Sequence, residues 1–256
     1  MNDNSFDPDH LKENLKPFRL YFYPTLQSTS DEAVALRRHR KLFAPAVLLA
    51  AEQTAGRGRG SNVWWSGPGS LAVTFVVPAD PATPPHHVPL LAGLAVHRAL
   101  EPFVRSSGLK LKWPIDLWHD DLKLAGLLCE RFDGVDFIGL GLNVNVVIDD
   151  IPPSLRHRVT SVSAIGGRTW PIGEVLTAVA AQAELALLQR EYGTFGTILS
   201  AYRQHDALAG RVIKVTEPGG AAPLLGIGEG LDHEGRLLVR TAAGLNSVVA
   251  GSVELV

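Results

Sequence analysis

Cysteine and long apolar runs are both scarce in this chain. One cysteine, Cys129, stands among 256 residues, which excludes an internal disulfide and a cysteine-rich zinc site. The most apolar stretches, Phe43 to Ala51 and Val88 to Ala95, fall well short of the roughly 18 apolar residues that span a bilayer. The N-terminus is acidic and polar, whereas a secretory signal needs basic residues followed by an apolar run. These absences predict a cytoplasmic protein with no membrane partner.

An excess of charge of one sign is lacking as well. The chain has 24 basic and 26 acidic residues, a formal net charge of -2. It therefore has no electrostatic excess to hold nucleic acid or anionic lipid nonspecifically. Its 46% hydrophobic and 20% charged residues are typical of a globular protein and exclude disorder as the main state. The length allows one large domain, or one domain and a small module.

Hydrophobic periodicity predicts both strands and helices in the first four fifths of the chain. The polar lead of some 16 residues has no predicted element. A helix is expected to begin near Gln27, with Thr29 and Glu32 as a capping box. The other predicted elements are apolar strands at Arg19 to Pro24, Ala46 to Ala51 and Ser70 to Val77, a buried helix at Leu90 to Val104, an antiparallel meander that starts with one strand from Leu109 to Leu117, and helices at Gly173 to Tyr192 and Phe195 to His205.

The sequence changes character after Gly210. Short strands alternate with turns that contain glycine, and they predict a small all-β module of about 45 residues. Its last strand is predicted from Ser247 to Leu255. We therefore expect two domains, a larger one at residues 1–209 and a smaller one at residues 210–256.

A loop rich in glycine and arginine lies between two of the apolar strands. No acidic residue occurs between Glu52 and Asp80, so Arg57 and Arg59 are predicted to lack a local counter-ion. Gly56 and its neighbouring glycines let backbone N–H groups approach a ligand, and guanidinium groups bind carboxylate or phosphate through paired hydrogen bonds. The loop thus suits an anionic small molecule. Flexible surface loops and segments that bind single-stranded RNA have the same composition.

Two further segments carry polar residues within strand patterns. Lys112 precedes Trp113-Pro114 and Asp116, and across a hairpin turn Lys123 is expected to lie near Asp116. Such a group is suited to neutralising a triphosphate and to holding Mg²⁺ through Asp116. An edge strand protected by lysines is the alternative interpretation. Glycines within the strand that leads to Asn143 indicate a close approach of ligand or backbone. A glycine-containing core strand is the alternative interpretation.

Together these segments resemble the biotin protein ligase family. The matching motifs are Gln53-Thr-Ala-Gly-Arg-Gly-Arg59 with Trp64, Lys112-Trp-Pro-x-Asp116, Lys123-x-Ala-Gly126, Gly139-x-Gly-x-Asn143 and the upstream Ser28-Thr-Ser-Asp-Glu32. The resemblance runs from about Tyr21 to Leu255, and the four main motifs occur in the family's order. It implies an α/β (α+β) catalytic domain on a mixed sheet with a small C-terminal β-barrel.

The activity that the resemblance implies is an ATP-dependent ligation in two steps. Biotin is adenylated to biotinyl-5'-AMP, and the biotinyl group is then transferred to a lysine of a biotin carboxyl carrier protein, with ATP and Mg²⁺ as cofactors. The implied catalytic residues are Lys123, Arg59 and Arg57. The implied biotin-binding residues are Ser28, Thr29, Ser30, Gln53, Gly56, Arg57, Gly58, Arg59 and Lys123. Those on the nucleotide side are Trp64, Lys112, Asp116 and Asn143, with Asp116 as the Mg²⁺ ligand.

The chain departs from the family pattern at Ile115, where asparagine is usual. Isoleucine cannot bond a phosphate or support a metal, so a non-catalytic biotin- or adenylate-binding protein is one alternative function. A lipoate or octanoate ligase of the same fold is another. It is disfavoured because no Arg-Arg-x-Ser-Gly-Gly-Gly segment occurs and because Cys129 is predicted to be an inert thiol in a buried strand.

The expected partner is the biotin carboxyl carrier domain of a biotin-dependent carboxylase. Only about 20 residues precede the first motif, whereas family members that repress transcription carry an N-terminal winged helix. With the net charge of -2, this predicts a monofunctional ligase that does not bind DNA. The sequence leaves open whether the chain forms a homodimer.

Overall fold

The structure is a computed structural model that describes residues 7–105, 108–188, 192–219 and 222–256. Within these ranges the chain forms six α-helices and twelve strands. The helices are α1 (Pro8–Asn14), α2 (Thr29–Arg38), α3 (Val88–Val104), α4 (Val162–Gly166), α5 (Ile172–Ala183) and α6 (Phe195–Gln204). The strands are β1 (Arg19–Leu26), β2 (Ala46–Gln53), β3 (Ser70–Pro78), β4 (Leu109–Lys112), β5 (Asp116–His119), β6 (Leu122–Phe132), β7 (Val135–Asn143), β8 (Val212–Thr216), β9 (Leu224–Leu231), β10 (Leu237–Thr241), β11 (Gly244–Val248) and β12 (Ser252–Leu255).

Seven strands form a mixed sheet in the order β1-β2-β3-β7-β6-β5-β4. β1 and β2 are parallel, and the other neighbours are antiparallel. Helix α2 packs on one face, against β2, β3 and β7, while α3 packs against β6 and β7 on the other. Strands covered on both faces read as continuous apolar runs, which is why β2 and β3 stand out in the sequence. The predicted mixed α/β sheet is confirmed.

Side-chain alternation divides β7 between the two faces of the sheet. Ile138 and Leu140 belong to the main core under α3. Val135 and Phe137 belong to the smaller core under α2. Residues that alternate along a strand share a face, so Gly139, Gly141 and Asn143 continue the α2 face. On that face, Gly139 and Gly141 therefore leave the strand backbone without side chains beyond Phe137.

Several local predictions need correction. The polar lead contains α1, whose Leu11 is buried. The sequence did not predict this helix because a single apolar residue in two turns is too weak a pattern. The N-cap of α2 is Ser28, whose hydroxyl accepts the Asp31 N–H, so Thr29 is free for another role. The strand predicted from Leu109 to Leu117 is two strands, interrupted at the cis peptide bond Trp113–Pro114. Proline lacks the N–H that a continuous ladder needs.

Of the three helices after β7, α5 and α6 match the sequence pattern closely, whereas the short helix α4 was not predicted. Helix α5 continues into a π-helical turn, Glu184–Leu188. The helix was predicted to run to Tyr192; residues 189–191 lie outside the described residues, and Tyr192 is in a turn rather than in the helix. Helix α6 ends at Gln204, one residue before the predicted end. None of the helices in the described ranges is long and apolar enough to traverse a lipid bilayer.

The C-terminal strands form a separate antiparallel sheet in the order β11-β10-β9-β8-β12. In the described residues β11 and β12 do not pair with each other, so the expected small barrel is an open five-stranded sheet. The strand predicted from Ser247 to Leu255 is split into β11 and β12, with a bend before Gly251. The bend carries β12 across to pair with β8.

Candidate active site

A cavity of about 410 Å³ opens on the α2 face of the large sheet. Every predicted site residue except Gly56 lines it: Ser28, Thr29, Ser30, Gln53, Arg57, Gly58, Arg59, Trp64, Lys112, Asp116, Lys123 and Asn143. Gly56 lies directly behind the wall, where its carbonyl accepts the Trp64 N–H at 2.9 Å. A Cβ at Gly56 would lie 2.6 Å from the Trp64 carbonyl oxygen, so the position requires glycine.

Glycines on β6 and β7 form the floor of the cavity. A Cβ at Gly141 would lie 2.2 Å from Cε2 of Trp64, and one at Gly139 would lie 2.5 Å from Ser30 Oγ. Both side chains therefore rest directly on the strand backbone, which only glycine allows. The spacing Gly139-x-Gly141-x-Asn143 puts all three positions on the cavity face because alternate residues of a strand point the same way.

One end of the cavity is a chain of hydroxyl groups that ends on an amide. Thr74 Oγ1 donates to Thr29 Oγ1 at 2.9 Å. Thr29 donates its hydroxyl at 3.1 Å and its backbone N–H at 2.8 Å to Gln53 Oε1. Ser30 Oγ lies 3.1 Å from Thr74 Oγ1, and it must donate there because the only hydroxyl hydrogen of Thr74 goes to Thr29. Ser30 thus keeps acceptor lone pairs, and Gln53 keeps its amide donors.

Thr74 was not predicted as a site residue. It lies in the middle of β3 and is fully buried. The available signal was a single hydroxyl within a run of apolar residues, since a buried polar group requires hydrogen-bond partners.

The other end of the cavity is cationic. Lys123 Nζ lies 2.8 Å from Asp116 Oδ1 and 5.6 Å from the centre of the Trp64 ring. Lys112 Nζ lies 4.4 Å from the centre of the Trp118 ring, and burial lowers the pKa of Lys112 although Asp116 partly opposes this. Together with Arg59, these side chains place three cations around one carboxylate. The predicted meeting of Lys123 with Asp116 is confirmed.

Arg59 connects the glycine-rich loop to the C-terminal sheet. Its Nη1 donates to the Gly251 carbonyl at 2.9 Å, and burial lowers the pKa of its guanidinium. Ser252 and Val253 of β12 also line the cavity. The sequence did not predict this contribution, because it depends on how the second sheet docks rather than on a local motif.

Arg57 lies at the wall of the cavity but is not without counter-ions. Its Nη1 donates to Asp31 of α2, and its Nη2 lies 3.1 Å from Glu130 Oε1 of β6. The pKa of Arg57 is raised, and the hydrogen bond to Asp31 is the largest cause. The prediction of an arginine without a counter-ion is wrong for this residue, because both carboxylates come from elements distant in sequence.

The segment after β7 completes the wall. The Lys123 N–H donates to the Arg158 carbonyl at 2.8 Å, and the Thr160 N–H donates to the Lys123 carbonyl at 3.0 Å. Asn143 Nδ2 holds the same segment through the Thr160 carbonyl at 3.0 Å. Arg158 thereby lines the cavity, a position that no sequence motif indicated.

Ile115 also borders the cavity and belongs to the main apolar core, with only 7% of its surface exposed. Its carbonyl accepts the Leu127 N–H at 3.0 Å. The substitution thus supplies apolar packing at the turn between β4 and β5, and the polar groups that face the cavity there come from Lys112 and Asp116.

Cys129 lies in β6 opposite Ile138 and is not among the residues that line the cavity. Burial of the thiol raises the pKa of Cys129, and Asp136 adds to the effect. The thiolate is the nucleophilic form, so this cysteine is unsuited to accept an acyl group at neutral pH.

Two protein-family models match the chain. The model described as the biotin/lipoate A/B protein ligase family matches residues 22–146. The model described as the biotin protein ligase C-terminal domain matches residues 209–256. The first match covers the hydroxyl chain and the cationic end, and the second covers the C-terminal sheet.

Characterised proteins and solved structures resemble the chain over nearly all of its length. The bifunctional ligase/repressor BirA of Bacillus spizizenii is 30% identical over 96% of this chain and 76% of its own. The biotin acetyl-CoA-carboxylase ligase of Paracoccus denitrificans is 30% identical over 89% of this chain and 97% of its own. The Aquifex aeolicus biotin protein ligase in complex with biotin and ATP superposes with a TM-score of 0.82 at 26% identity, covering 93% of this chain and 99% of that one.

Proposed function

Because the chain belongs to the biotin protein ligase family, we propose that its cavity is the active site of an ATP-dependent biotin ligase. In the first step a biotin carboxylate oxygen attacks the α-phosphorus of ATP, and biotinyl-5'-AMP forms as pyrophosphate leaves. In the second step the ε-amine of a carrier lysine attacks the acyl carbon. An amide forms, AMP leaves and the amine loses a proton. The main observation that supports this proposal is that one 410 Å³ cavity has a hydroxyl–amide end and a cationic end.

The hydroxyl–amide end is the proposed site for the ureido ring of biotin. A ureido group presents N–H donors and a carbonyl acceptor. Ser30 Oγ retains acceptor capacity because it donates to Thr74. The Gln53 NH2 group retains its donors because the two hydrogen bonds from Thr29 involve only the Gln53 oxygen. Ser28 and Thr29 complete this end at the start of α2. The donor and acceptor pattern of the pocket thus complements that of the ring.

The cationic end is the proposed site for the biotin carboxylate and the α-phosphate. Two anions must meet there, and cations in a partly buried site reduce their repulsion and stabilise the charge that develops in the transition state. Lys123 and Arg59 are the proposed catalytic residues. Arg57, bordered by Gly56 and Gly58, is proposed to assist them, and for it to bind the substrate one of its two carboxylate partners must give way to the phosphate.

Trp64, Lys112, Asp116 and Asn143 are the proposed residues on the nucleotide side. Trp64 offers a ring lying on Gly141, with an indole N–H that has no protein partner among the described residues. Asp116 would hold Mg²⁺ jointly with the triphosphate, as magnesium sites with one carboxylate do. Because three cations surround Asp116, this carboxylate alone would not hold a free ion, and Mg²⁺ would bind here only as a complex with the triphosphate. The ion would neutralise phosphate charge as pyrophosphate leaves.

The glycine-rich loop is proposed to shield the adenylate. Arg57 ties it to α2 and β6, and Arg59 ties it to Gly251 of the second sheet. An acyl adenylate hydrolyses in water, so a loop held over the cavity on two sides protects the intermediate until the carrier lysine arrives.

The carrier domain of a biotin-dependent carboxylase is the proposed acceptor, in the cytoplasm, where ATP is plentiful. We also propose a domain boundary between residues 209 and 210, with the small domain contributing Ser252 and Val253 to the cavity. A homodimer formed through a sheet edge would use β1, because the other end strand, β4, is already bridged at Leu111 by Asp206.

Biotin-dependent exchange of labelled pyrophosphate into ATP tests the first step without a carrier. Biotin is compared with lipoate and octanoate in the presence of Mg²⁺. We expect exchange with biotin alone, and a loss of about 100-fold or more in Lys123→Ala, as for other groups that stabilise transition-state charge. Lys110→Ala is the matched control, because Lys110 lies on β4 of the same antiparallel meander but does not line the cavity.

The alternative functions give different outcomes in the same assay. Exchange with lipoate or octanoate in preference to biotin would identify the acyl ligase of the same fold. No exchange in the wild type but clear exchange in Ile115→Asn would identify a protein that binds biotin without turnover. Equal exchange in Lys123→Ala and Lys110→Ala would overturn the assigned role of Lys123.

A further inference from the structure

A cluster of two histidines and a glutamate lies outside the cavity. His97 and Glu101 are four residues apart on α3, which places them on one helix face, and His205 follows the end of α6. One ligand atom from each side chain lies within 4.8 Å of the other two. None of the three lines the active-site cavity, and the proposed ligase reaction uses none of them.

The hydrogen bond of His97 determines which of its nitrogens is available. His97 Nε2 lies 3.2 Å from the Leu109 carbonyl oxygen, which can only accept, so Nε2 carries the hydrogen. In the neutral imidazole Nδ1 then carries a lone pair. Nδ1 is buried, makes no hydrogen bond in the described residues and lies 3.5 Å from Glu101 Oε1. Two electron-rich atoms thus face each other, one on the buried His97 side chain, which is 2% exposed, and one on the Glu101 side chain, which is 54% exposed.

A cation between these atoms would resolve the repulsion. Zinc bonds imidazole nitrogen and carboxylate oxygen at about 2.0–2.2 Å, so neighbouring ligand atoms of a tetrahedral site are about 3.4 Å apart. The His97–Glu101 pair already has that spacing, and His205 needs only a small side-chain adjustment. Metal-binding histidines characteristically donate a hydrogen bond from the ring nitrogen that does not bind the metal. The Leu109 carbonyl accepts such a bond from His97 Nε2.

The surrounding backbone holds the third ligand in place. The His205 carbonyl accepts the Leu111 N–H at 2.7 Å, and the Ala207 N–H donates to the Leu111 carbonyl at 2.9 Å. The His97 and His205 rings are 4.0 Å apart, centre to centre. An ion here would join α3, the end of α6 and β4, whose last residue is Lys112.

We propose that His97, Glu101 and His205 bind a divalent transition-metal ion of the zinc class, with water completing the coordination. Arg98 and Lys110 add positive charge near both histidines. This disfavours ions held by charge alone, such as Mg²⁺ and Ca²⁺, whereas zinc forms directed bonds to imidazole. The ion stabilises the junction between the catalytic sheet and the chain that leads to the second sheet.

Zinc binding to the chelator-treated full chain tests this proposal. Stoichiometry is measured after equilibrium dialysis, and affinity by competition with a chromophoric chelator. Glu101→Gln and His205→Gln are the test variants because both side chains are less buried than His97, and His233→Gln at an exposed histidine is the matched control. We expect one Zn²⁺ per wild-type chain, an affinity at least 10-fold weaker in each test variant and unchanged in the control.

Two further measurements separate this site from the nucleotide site. Co²⁺ bound to the wild type should show the visible absorption of a tetrahedral site, which His205→Gln should lack. Excess Mg²⁺ should not displace the bound Co²⁺. The melting temperature should rise with zinc in the wild type and not in Glu101→Gln. Substoichiometric zinc in the wild type, or equal affinity in both test variants and the control, would overturn the proposal whatever the ligase assay shows.

Discussion

Thr74 connects the two polar segments at the hydroxyl–amide end of the cavity, the proposed biotin end. Its hydroxyl accepts from Ser30 and donates to Thr29, which in turn holds Gln53. Thr74→Val preserves the shape but removes the buried acceptor of the Ser30 hydroxyl and the donor to the Thr29 hydroxyl. A lost partner of this kind costs about 1–3 kcal/mol, so we expect the KM for biotin to rise about 10-fold while the KM for ATP changes little.

Pyrophosphate exchange at varied biotin concentrations measures this effect. Thr177→Val is the control, because the Thr177 hydroxyl bonds the Gly173 carbonyl within α5, away from the cavity. If Thr74→Val and Thr177→Val have the same KM for biotin, the hydroxyl chain does not organise the biotin end.

Lys112 illustrates the energetic cost of placing a cation in the proposed nucleotide site. Burial lowers its pKa, so the folded protein binds this proton less tightly than the unfolded chain does. The charged lysine therefore reduces the free energy of unfolding below its lowered pKa, and the reduction disappears as the pH rises through that pKa towards 10.5. Lys112→Met should raise the free energy of unfolding near pH 7 while weakening ATP binding.

Denaturant titrations near pH 7 and near pH 10 check the sign. The advantage of Lys112→Met over the wild type should shrink at the higher pH, where the wild-type lysine loses its proton in the folded state. Lys214→Met, at a lysine paired with Glu254 on the surface, should show no such change. An advantage that grows with pH would contradict the assigned cause of the shift.

At the scale of the element, β7 forms the cavity because its glycines remove side chains from one face. Gly141→Ala would place a Cβ 2.2 Å from the Trp64 ring, and the ring must move. We expect at least a 10-fold rise in the KM for ATP, since Trp64 is on the proposed nucleotide side. Fluorescence of the tryptophans and exchange at varied ATP measure the two consequences.

Gly196→Ala is the matched control for this prediction. Gly196 lies in α6, where the nearest atom to an added Cβ is 3.7 Å away. Alanine there should leave the KM for ATP unchanged and stabilise the helix by about 0.5–1 kcal/mol. Unchanged ATP kinetics in Gly141→Ala would mean that Trp64 does not contribute to the nucleotide side.

Local elements with strong periodicity were predictable from the sequence. Strands β2 and β3 and helix α3 are buried on most sides, so their apolar runs indicate them directly. The motif glycines were also informative, because a glycine within a strand signals close approach. The split at Trp113–Pro114 and the short helix α1 were not predicted, since each depends on a few residues and on packing from distant parts of the chain.

At the scale of the whole molecule, the cavity is assembled from both sheets. Arg59 of the large sheet's loop bonds Gly251, and Ser252 follows on the cavity wall. No local pattern encodes this docking, so the sequence motifs predicted the Lys123–Asp116 pair but not the contribution of β12. The carboxylate partners of Arg57 were missed because they come from α2 and β6, which are distant in sequence. Residues contributed by tertiary contacts are the part of the site that sequence reasoning missed.

A bulky substitution on β12 tests whether the second sheet contributes to the active site. Ser252→Trp adds a bulky ring at the cavity. We expect biotin-dependent exchange to fall about 10-fold or more, because small displacements of bound substrates greatly slow a reaction. Val212→Trp is the control, an exposed position of the same sheet that does not line the cavity. Equal exchange in both variants would exclude the second sheet from the active site.

As a biotin ligase, this chain is expected to attach biotin to a carrier lysine through an adenylate. The most direct measurement is the intact mass of a biotin carboxyl carrier domain after incubation with the chain, ATP, Mg²⁺ and biotin. We predict the addition of one biotin to one lysine, and none when that lysine is replaced by arginine or when ATP is omitted. A carrier that gains no biotin, or one that gains lipoate or octanoate in its place, would contradict the account.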